Sequence, residues 1–430
     1  MKKTGNWLLV LAALSTVSLW VLSKPSPSTI FDNPFKSLGQ LAGLLAAMLV
    51  CAEFVLATRM RVLESLFGGL DKVYKVHAIT GALAFLFMLN HPVLLALNVL
   101  PSVPAAVRFF LPTLDNLPYA YGIFALYLMI MLLALTLFLR LPYHIWKKTH
   151  ILMVFPQMFI IAHVIFISSD TSRYMPLRYW ILSLGFVSLF AYIYKRFLYP
   201  HFGHLHRYRI AAVRQMDGIA ELTLAAEGKK LEFTPGQFVF LSIQDKAIGT
   251  EDHPFSIASA PGEEFLRLSI RESGDYTQRL ALAKSGMKVK LYGPYGAFGE
   301  KSFAKSKDEI WIAGGIGITP FLSMLRYYSQ TAPKKNIWLF YTTRQEKDAA
   351  YVEEISRLAG SEPHIKFLHQ STDKGERLTA GLVAKTTGSV KDKQVFLCGP
   401  GAMIEDLWEQ FVSLGVNPRN LIHEEFNFLP

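Results

Sequence analysis

The chain has 430 residues, of which 51% are hydrophobic and only 18% are charged. This length favours two or three domains, and the composition is typical of a protein that lies partly in a membrane rather than of a wholly soluble one. Membrane topology accounts for much of the net charge of +11, so we do not interpret it as a nucleic-acid-binding surface. The two cysteines, Cys51 and Cys398, fall in parts of the chain that we assign to different domains, which argues against a disulfide.

Apolar segments in the first 200 residues are long enough to cross a bilayer as helices. The first, 7–22, follows two lysines. A cleaved signal peptide is the alternative there, but the apolar part is long and no A-x-A site follows, so we expect a retained span. Further segments lie at about 38–58, 72–99, 119–140, 149–168 and 178–198. The pattern predicts six spans, with both ends of the domain on one side of the membrane.

The distribution of Lys and Arg indicates which side that is, because cytoplasmic segments of membrane proteins are enriched in them. The segments on the N-terminal side hold Lys2, Lys3, Arg59, Arg61, Lys72, Lys75, Arg140, Lys147, Lys148, Lys195 and Arg196. The opposite loops hold Lys24, Lys36, Arg108, Arg173 and Arg178. We therefore expect the N-terminus and the residues after the last span to be cytoplasmic.

Four histidines lie in the third and fifth spans. His77 and His91 are separated by about 21 Å of helix, and His150 and His163 by nearly as much. An imidazole inside a membrane span is costly and points to a function. The two spans run in the same direction, so His77 and His150 are expected near the cytoplasmic face, and His91 and His163 near the outer face. Each pair is suited to clamp a haem iron; the alternative is that neighbouring helices satisfy all four imidazoles.

The fifth span needs an interruption for this pairing, because thirteen residues do not return to the same face of a regular helix. Pro156 lies between His150 and His163, and a proline kinks a helix by removing a backbone hydrogen bond. We expect a kink there that realigns the two histidines. Glu53 is the one acid well inside a span, and it is either functional or a buried acid with a partner.

After residue 200 the composition changes. His201, His204 and His206 form a cluster that is a metal site or, as we expect, part of a solvated linker. The short alternating strands that follow, punctuated by Gly and Pro, predict a small antiparallel barrel. From about Asp308 strands alternate with helices, which predicts a parallel sheet with helices on its faces.

The segment IAGGIGITP joins a predicted strand to a predicted helix through Gly314, Gly315 and Gly317. Glycines let the backbone come close to a diphosphate, and a helix N-terminus favours the diphosphate charge. A tight turn without a ligand is the alternative.

Two motifs in the barrel region suit a second nucleotide. In HPFSIASAP, Phe255 can lie on a flat ring and the Ser256 hydroxyl can reach a ring nitrogen. In RESGDYT, Arg271 and the backbone amides of 274–277 can hold a diphosphate. Each residue alone has a structural alternative, since Phe255 also suits a core and Arg271 a solvated strand. The order of barrel, glycine turn and CGP segment favours ligand binding.

On these motifs the chain resembles the NADPH oxidase and ferric reductase family of transmembrane flavocytochromes b, and its C-terminal half resembles the ferredoxin–NADP reductase superfamily. The resemblance rests on the four histidines and on PGQF (235–238), HPFS (253–256), GDYT (274–277), GPYG (293–296), GGIGITP (314–320) and CGP (398–400). It implies a six-helix transmembrane bundle at 1–200, followed by an antiparallel β-barrel FAD domain at 201–303 and an α/β nucleotide-binding domain at 304–430.

The resemblance also implies roles for individual residues. One b-type haem would be held by His77 and His150, and a second by His91 and His163. FAD would be bound by His253, Pro254, Phe255, Ser256, Arg271, Gly274, Tyr276 and Thr277. NADPH or NADH would be bound by Gly314, Gly315, Gly317, Thr319, Arg344, Cys398 and Gly399. An arginine at 344 favours NADPH. The catalytic residues would be Ser256 near the flavin N5, Cys398 near the nicotinamide, and Phe426 (or Phe428) covering the flavin.

The implied function is electron transfer from cytoplasmic NAD(P)H through FAD and two haems to an external acceptor. We expect O2, giving superoxide; the alternative is a ferric chelate reduced by the same path. The short outer loops favour O2, whereas Leu95 stands where some members carry a further histidine. A pore or transporter with a regulatory nucleotide domain is a remote alternative, because few other ionisable residues lie in the spans. The lipid bilayer is an expected partner, and neither a nucleic acid nor a partner subunit is indicated.

Overall fold

The computed structural model describes residues 4–424 except Arg140, Lys305, Lys374 and Glu376. The chain divides into two compact units, and the division in the sequence falls between His201 and Phe202. In its described residues the first unit has helices and turns but no strand. Its helices are α1 (Thr4–Leu22), α2 (Ser28–Asp32), α3 (Pro34–Leu56), α4 (Arg61–Phe67), α5 (Leu70–Asn98), α6 (Val103–Val107), α7 (Leu117–Leu137), α8 (Tyr143–Ile151), α9 (Val154–Phe166), α10 (Asp170–Arg173), α11 (Met175–Ile193) and α12 (Tyr199–Phe202).

Six helical segments of the described chain are long and apolar enough to cross a membrane. They are Thr4–Leu22, Pro34–Leu56, Leu70–Asn98, Leu114–Leu137, Tyr143–Phe166 and Met175–His201. Large apolar side chains remain exposed on these helices, among them Phe186 at 74%, Trp7 at 70% and Ile79 at 62%. Such a surface is unfavourable in water and suited to lipid. The prediction of a six-helix transmembrane bundle is confirmed.

The segment predicted as the fifth span consists of two helices, α8 and α9, with a break at Leu152 and Met153. Pro156 explains the position of the break, because its ring clashes with the carbonyl of Leu152, four residues earlier, and it has no N–H to offer that carbonyl. The N–H groups of Leu152 and Met153 bond instead to carbonyls three residues earlier, each at 3.1 Å. The interruption expected between the two histidines of this span is therefore present.

The second unit begins with an antiparallel sheet. Its strands are β1 (Leu205–Met216), β2 (Ile219–Ala226), β3 (Phe238–Ile243), β4 (His253–Ser256), β5 (Leu266–Arg271) and β6 (Lys288–Tyr295), followed by the short helices α13 (Asp275–Arg279) and α14 (Glu300–Phe303). The strand order is β4-β3-β6-β1-β2-β5. The two edges meet at a bridge between Ile257 and Leu268, so the sheet closes around a fully buried core that includes Leu222 and Leu241. This confirms the predicted antiparallel barrel.

A five-stranded parallel sheet completes the second unit. Its elements are β7 (Glu309–Gly314), α15 (Thr319–Thr331), β8 (Ile337–Thr343), α16 (Val352–Gly360), β9 (Ile365–Ser371), α17 (Ala380–Thr387), β10 (Gln394–Cys398), α18 (Gly401–Ser413) and β11 (Leu421–Glu424). The order is β11-β10-β7-β8-β9. Alternate residues of β7 and β10 enter separate cores on the two faces: Trp311 and Phe396 on one, Ile312 and Leu397 on the other. Burial on both faces is typical of parallel sheets, and the predicted α/β domain is confirmed.

A buried ion pair fastens the start of β7 to the segment before β8. Lys335 Nζ lies 2.6 Å from Glu309 Oε1, and the two side chains are 4% and 0% exposed. Ser302 Oγ and Trp311 Nε1 donate to the other carboxylate oxygen at 2.7 and 2.8 Å. Burial raises the pKa of Glu309, and the Lys335 ammonium opposes that rise.

Replacing Lys335 by Met should destabilise the second unit by about 3–5 kcal/mol, because the Glu309 carboxylate loses its cation while it stays buried. Lys334→Met removes the exposed lysine next to it and is the matched control, with a change within about 0.5 kcal/mol. Urea unfolding of the purified protein in detergent, followed by tryptophan fluorescence, compares the two. Equal transition midpoints for both variants would contradict this role of the ion pair.

Candidate functional site

The four histidines of the helical unit lie in two pairs. The ring centroids of His77 on α5 and His150 on α8 are 6.2 Å apart, with 70° between the ring planes. Those of His91 on α5 and His163 on α9 are 6.3 Å apart, with 75° between the planes. Two imidazoles that bind one metal ion from opposite sides at about 2 Å have centroids roughly 6 Å apart. The structure therefore brings together the pairs predicted from the sequence, at a separation that fits a shared metal ion.

Backbone carbonyls fix the orientation of the second pair. His91 Nδ1 lies 2.7 Å from the carbonyl oxygen of Gly39, and His163 Nδ1 lies 2.7 Å from that of Pro118. An acceptor at this distance requires each Nδ1 to carry the proton, so Nε2 of each ring keeps its lone pair. A histidine whose Nδ1–H is held in this way is oriented to bind a metal through Nε2.

Two glycines allow these rings to approach the neighbouring helices. A Cβ atom at Gly43 on α3 would lie 2.6 Å from His91 Nδ1, and one at Gly122 on α7 would lie 3.0 Å from His163 Nδ1. Each glycine stands four residues after the residue whose carbonyl accepts the imidazole proton. Glycine at these positions thus leaves room for the imidazole ring. The sequence reasoning missed this role, although the spacing of Gly39 and Gly43 in GQLAG is a signal for it.

The first pair has different surroundings. His77 Nδ1 lies 2.5 Å from Oε2 of Glu53 on α3, so its partner is a carboxylate instead of a carbonyl. His150 stacks on Trp146, with 5.3 Å between the centroids and 16° between the planes. Among the described residues, His150 Nδ1 has no hydrogen-bond partner.

The number of ligands at each pair suits haem. In the part of the chain that the structure describes, no group of three or more His, Cys, Asp or Glu side chains is placed to hold a metal ion. Each histidine pair offers two nitrogens, which is the number of axial ligands that a haem iron accepts. The side chains present therefore fit two bis-histidine haems.

In the second unit, the direction of the chain reverses between β7 and β10. From β7 the chain proceeds to β8 and β9 on one side, then returns to β10 and β11 on the other. Ligands of open α/β sheets bind outside the carboxyl ends of the strands at such a point. The loops that leave these two strands are the 3₁₀ turn Gly315–Ile318 and the segment Gly399–Pro400.

Glycines let these two loops pack backbone against backbone. A Cβ at Gly317 would overlap the carbonyl oxygen of Cys398, and one at Gly399 would lie 3.0 Å from Gly314 Cα. Gly315 has φ of +54°, in the left-handed region that favours glycine. These five predicted residues thus come together at the carboxyl edge of the sheet.

The other predicted nucleotide contacts lie around this edge. Thr319 opens α15, and its hydroxyl donates to the carbonyl of Ile316 at 2.8 Å, which closes the turn. Arg344 follows β8 and its side chain is exposed. Arg271, at the end of β5, has Nη1 3.1 Å from where a Cβ of Gly315 would lie. The barrel thus contributes a guanidinium group beside the glycine turn.

The HPFS motif forms β4, paired with β3. Ser256 stands opposite Phe238 and is 5% exposed. Pro254 is the residue before Phe255, which is half-buried and packs on the barrel core. Phe255 can therefore pack on the core with one part of its side chain and contact a flavin with the exposed part, as predicted.

His253 and Tyr276 lie against each other, with 3.8 Å between the ring centroids and 23° between the planes. Tyr276 is 3% exposed, and burial raises its pKa. Its ring therefore supports His253 from the core side.

The GDYT motif caps α13 with its own hydroxyl. Thr277 Oγ1 accepts from the N–H groups of Ser273 and Gly274 at 2.8 and 2.9 Å. The sequence predicts that amides of this turn face a diphosphate, and the Gly274 amide also stabilises the turn through this bond. Arg271 is the cation of the RESGDYT segment.

Glu424 is a candidate that the sequence reasoning missed. It lies on β11 opposite Cys398 and is 4% exposed. A Cβ at Gly296, in the GPYG motif, would lie 3.1 Å from its Oε1. Burial and the Glu424 charge together raise the pKa of Cys398. Its signal was weak, because β11 is only four residues long; Phe426 and Phe428 lie outside the described residues.

Three family models match the chain in the order of its structural parts. The one described as "Ferric reductase like transmembrane component" matches residues 42–162. The "FAD-binding domain" matches 205–310, and the "Oxidoreductase NAD-binding domain" matches 311–408. Together they cover most of the chain and indicate a transmembrane NAD(P)H-dependent flavin oxidoreductase.

Two curated relatives are reductase components. The propane 2-monooxygenase reductase component of Rhodococcus jostii (strain RHA1) is 29% identical over 51% of this chain and 63% of its own length. The component of that name in Mycolicibacterium goodii is 31% identical over 42% of this chain and 55% of its own length. The chain thus spans less than two thirds of either relative. A crystal structure of flavohemoglobin from Malassezia yamatoensis with bound FAD and heme shares the fold at a TM-score of 0.52 and 13% identity, covering 93% of this chain and 98% of that one.

Gly317→Ala should slow NAD(P)H-dependent flavin reduction by about 100-fold, because the added methyl group forces the loops after β7 and β10 apart by roughly an ångström. Gly360→Ala is the matched control: it lies at the end of α16, where an added Cβ meets nothing within 4 Å. Anaerobic stopped-flow absorbance at the flavin band measures the rate, and FAD content checks that the barrel is intact. Wild-type rates in Gly317→Ala would show that the loops do not hold the nicotinamide nucleotide.

Proposed function

The chain belongs to the NADPH oxidase and ferric reductase family, and from this premise we propose that it transfers electrons from NADPH through FAD and two b-type haems to O2, giving superoxide across the membrane. The observation that carries the proposal is the two histidine pairs, with centroid separations of 6.2 and 6.3 Å at two levels of α5. Two such pairs on one helix span a distance of about 21 Å, most of a bilayer core.

The residues of the helical unit would hold and orient the two metal centres. His77 and His150 would bind one haem, and His91 and His163 the other. His77, His91 and His163 would each bind through Nε2, because their Nδ1 lies against a protein oxygen. When bound, FAD turns the hydride of NAD(P)H into single electrons, and the haem irons carry these across the bundle. With both members of each histidine pair engaged on one haem, the acceptor would be reduced without binding the iron.

The residues of the second unit would hold the two nucleotides. FAD would lie against β4 and β5, bound by His253, Pro254, Phe255, Ser256, Arg271, Gly274, Tyr276 and Thr277. NADPH would lie at the carboxyl edge of the parallel sheet, bound by Gly314, Gly315, Gly317, Thr319, Arg344, Cys398 and Gly399. Burial keeps the proton on Cys398 Sγ, since it raises the pKa of this thiol. Ser256 and Cys398 would flank the reacting rings, with Phe426 covering the flavin.

The proposal includes an arrangement of domains and an orientation. Residues 1–200 would form the haem domain, 201–303 the FAD domain and 304–430 the NAD(P)H domain. The excess of Lys and Arg on the N-terminal side supports a cytoplasmic N-terminus and cytoplasmic nucleotide domains.

A ferric chelate is the second candidate acceptor. The description of the matched transmembrane family, ferric reductase-like, favours it. Leu95 also favours a ferric chelate, because it places an apolar side chain near the second histidine pair. Its Cδ2 lies 3.1 Å from where a Cβ of Gly39 would be.

NADPH oxidation by the FAD-supplied protein in detergent distinguishes the two acceptors. We expect turnover in air, accompanied by cytochrome c reduction that superoxide dismutase abolishes. Slow turnover in air that rises only when a ferric chelate is added without oxygen would assign the protein as a ferric reductase. The absence of both activities, in protein with its flavin bound, would contradict the transmembrane path.

Arg344→Ala should raise the KM for NADPH by roughly 10- to 100-fold, because a charge-assisted hydrogen bond to the 2′-phosphate is lost. The KM for NADH, which has no 2′-phosphate, should stay unchanged. Lys385→Ala, which removes an exposed cation from α17, is the control for a general loss of positive charge. An equal rise in both KM values would show that Arg344 does not select the phosphate.

A further inference from the structure

We propose that Glu53 makes the His77/His150 site the more reducing of the two haem sites, by acting on the axial ligand His77. This inference rests on the proposed function, because it concerns haem that His77 would bind. Glu53 is a positioning residue in this scheme, since it acts through His77 and not on the iron.

Both carboxylate oxygens of Glu53 are engaged by α5. Oε2 lies 2.5 Å from His77 Nδ1, and Oε1 accepts a hydrogen bond of 2.5 Å from Thr80 Oγ1. The Glu53 side chain is 13% exposed, and Thr80 is 9% exposed. One acid of α3 is therefore held in place, within the apolar bundle, against one imidazole.

The groups at Nδ1 of the other histidine pair are neutral. Nδ1 of His91 and Nδ1 of His163 each meet a neutral backbone carbonyl at 2.7 Å. In the first pair, the partner of His77 is an aromatic-stacked His150 whose Nδ1 meets no hydrogen-bonding atom among the described residues. Among the described residues, the two sites thus each offer two imidazoles and differ in the carboxylate at His77 and in the unbonded Nδ1 of His150.

A carboxylate acceptor makes an imidazole a stronger electron donor than a carbonyl acceptor does. A stronger donor stabilises ferric over ferrous iron and lowers the reduction potential, and second-layer hydrogen bonds are one of the levers that set haem potentials. The negative charge itself acts in the same direction, and does so strongly where the dielectric constant is low. Both effects make the site at His77 more reducing than the site at His91.

This asymmetry would give electron flow a direction. An electron delivered to the His77/His150 site finds a more positive site at His91/His163, so transfer from the first level of α5 to the second is downhill. The chain would achieve this with one charged side chain and without a change of axial ligand.

Glu53→Gln tests the inference, because the amide keeps the shape and an acceptor oxygen but removes the charge. Spectroelectrochemical titration of the haem bands in the purified holoprotein gives both midpoint potentials. We expect the ferric–ferrous equilibrium constant of the site with the lower potential to shift about tenfold toward ferrous iron. This corresponds to a rise of about 59 mV in its midpoint potential for one electron. The other potential should not move. The same shift should occur in a His91→Ala background, in which the His77 site is the one retained.

Thr80→Val provides a second test of opposite sign. It removes the hydroxyl that donates a hydrogen bond to the Glu53 carboxylate. The carboxylate then keeps more of its negative charge toward His77, so the His77 site should become more reducing. If Glu53→Gln fails to bind haem, this variant decides the question alone. Unchanged potentials in both stable variants, or equal shifts of both haems, would overturn the inference. A wild-type protein without two low-spin haems would instead refute the proposed function.

Discussion

The contact that Nδ1 makes with a protein oxygen, present in three of the four paired histidines, is the constraint on which the arrangement of the helical unit depends. A histidine in an apolar bundle must have its polar nitrogen satisfied, and satisfying Nδ1 leaves Nε2 for a metal. Gly39 and Pro118 supply carbonyls for this purpose, and Glu53 supplies a carboxylate. The positions of α3 and α7 beside the histidine helices follow from these contacts.

The sequence was sufficient for features that are local in the chain. Hydropathy predicted the spans, and histidine spacing predicted the pairs. Pro156 predicted an interruption, which the structure places at Leu152, the residue whose carbonyl would clash with the proline ring. The contact of Glu53 with His77 could not be predicted, because it depends on how α3 and α5 align along their lengths. Likewise β11 was missed: a four-residue edge strand has little pattern of its own, and Glu424 gains its interest only from pairing with Cys398.

In the second unit the same glycines serve packing and, in the proposed function, nucleotide binding. The loops after β7 and β10 meet so closely that side chains at Gly317 and Gly399 would not fit. This contact brings the end of the glycine turn to Cys398, while Arg271 approaches the turn from the barrel. A site assembled from two parallel strands and one barrel strand needs all three strand ends to lie close together. Motifs far apart in the sequence are therefore needed in the same chain.

The central claim is that one chain holds two bis-histidine haems for each flavin. The most direct test is the haem-to-FAD ratio of the purified protein, from pyridine haemochrome absorbance and released flavin, combined with electron paramagnetic resonance of the oxidised state. The account predicts two b-type haems per FAD, both low-spin. A single haem per FAD, or a high-spin signal from the intact protein, would contradict it.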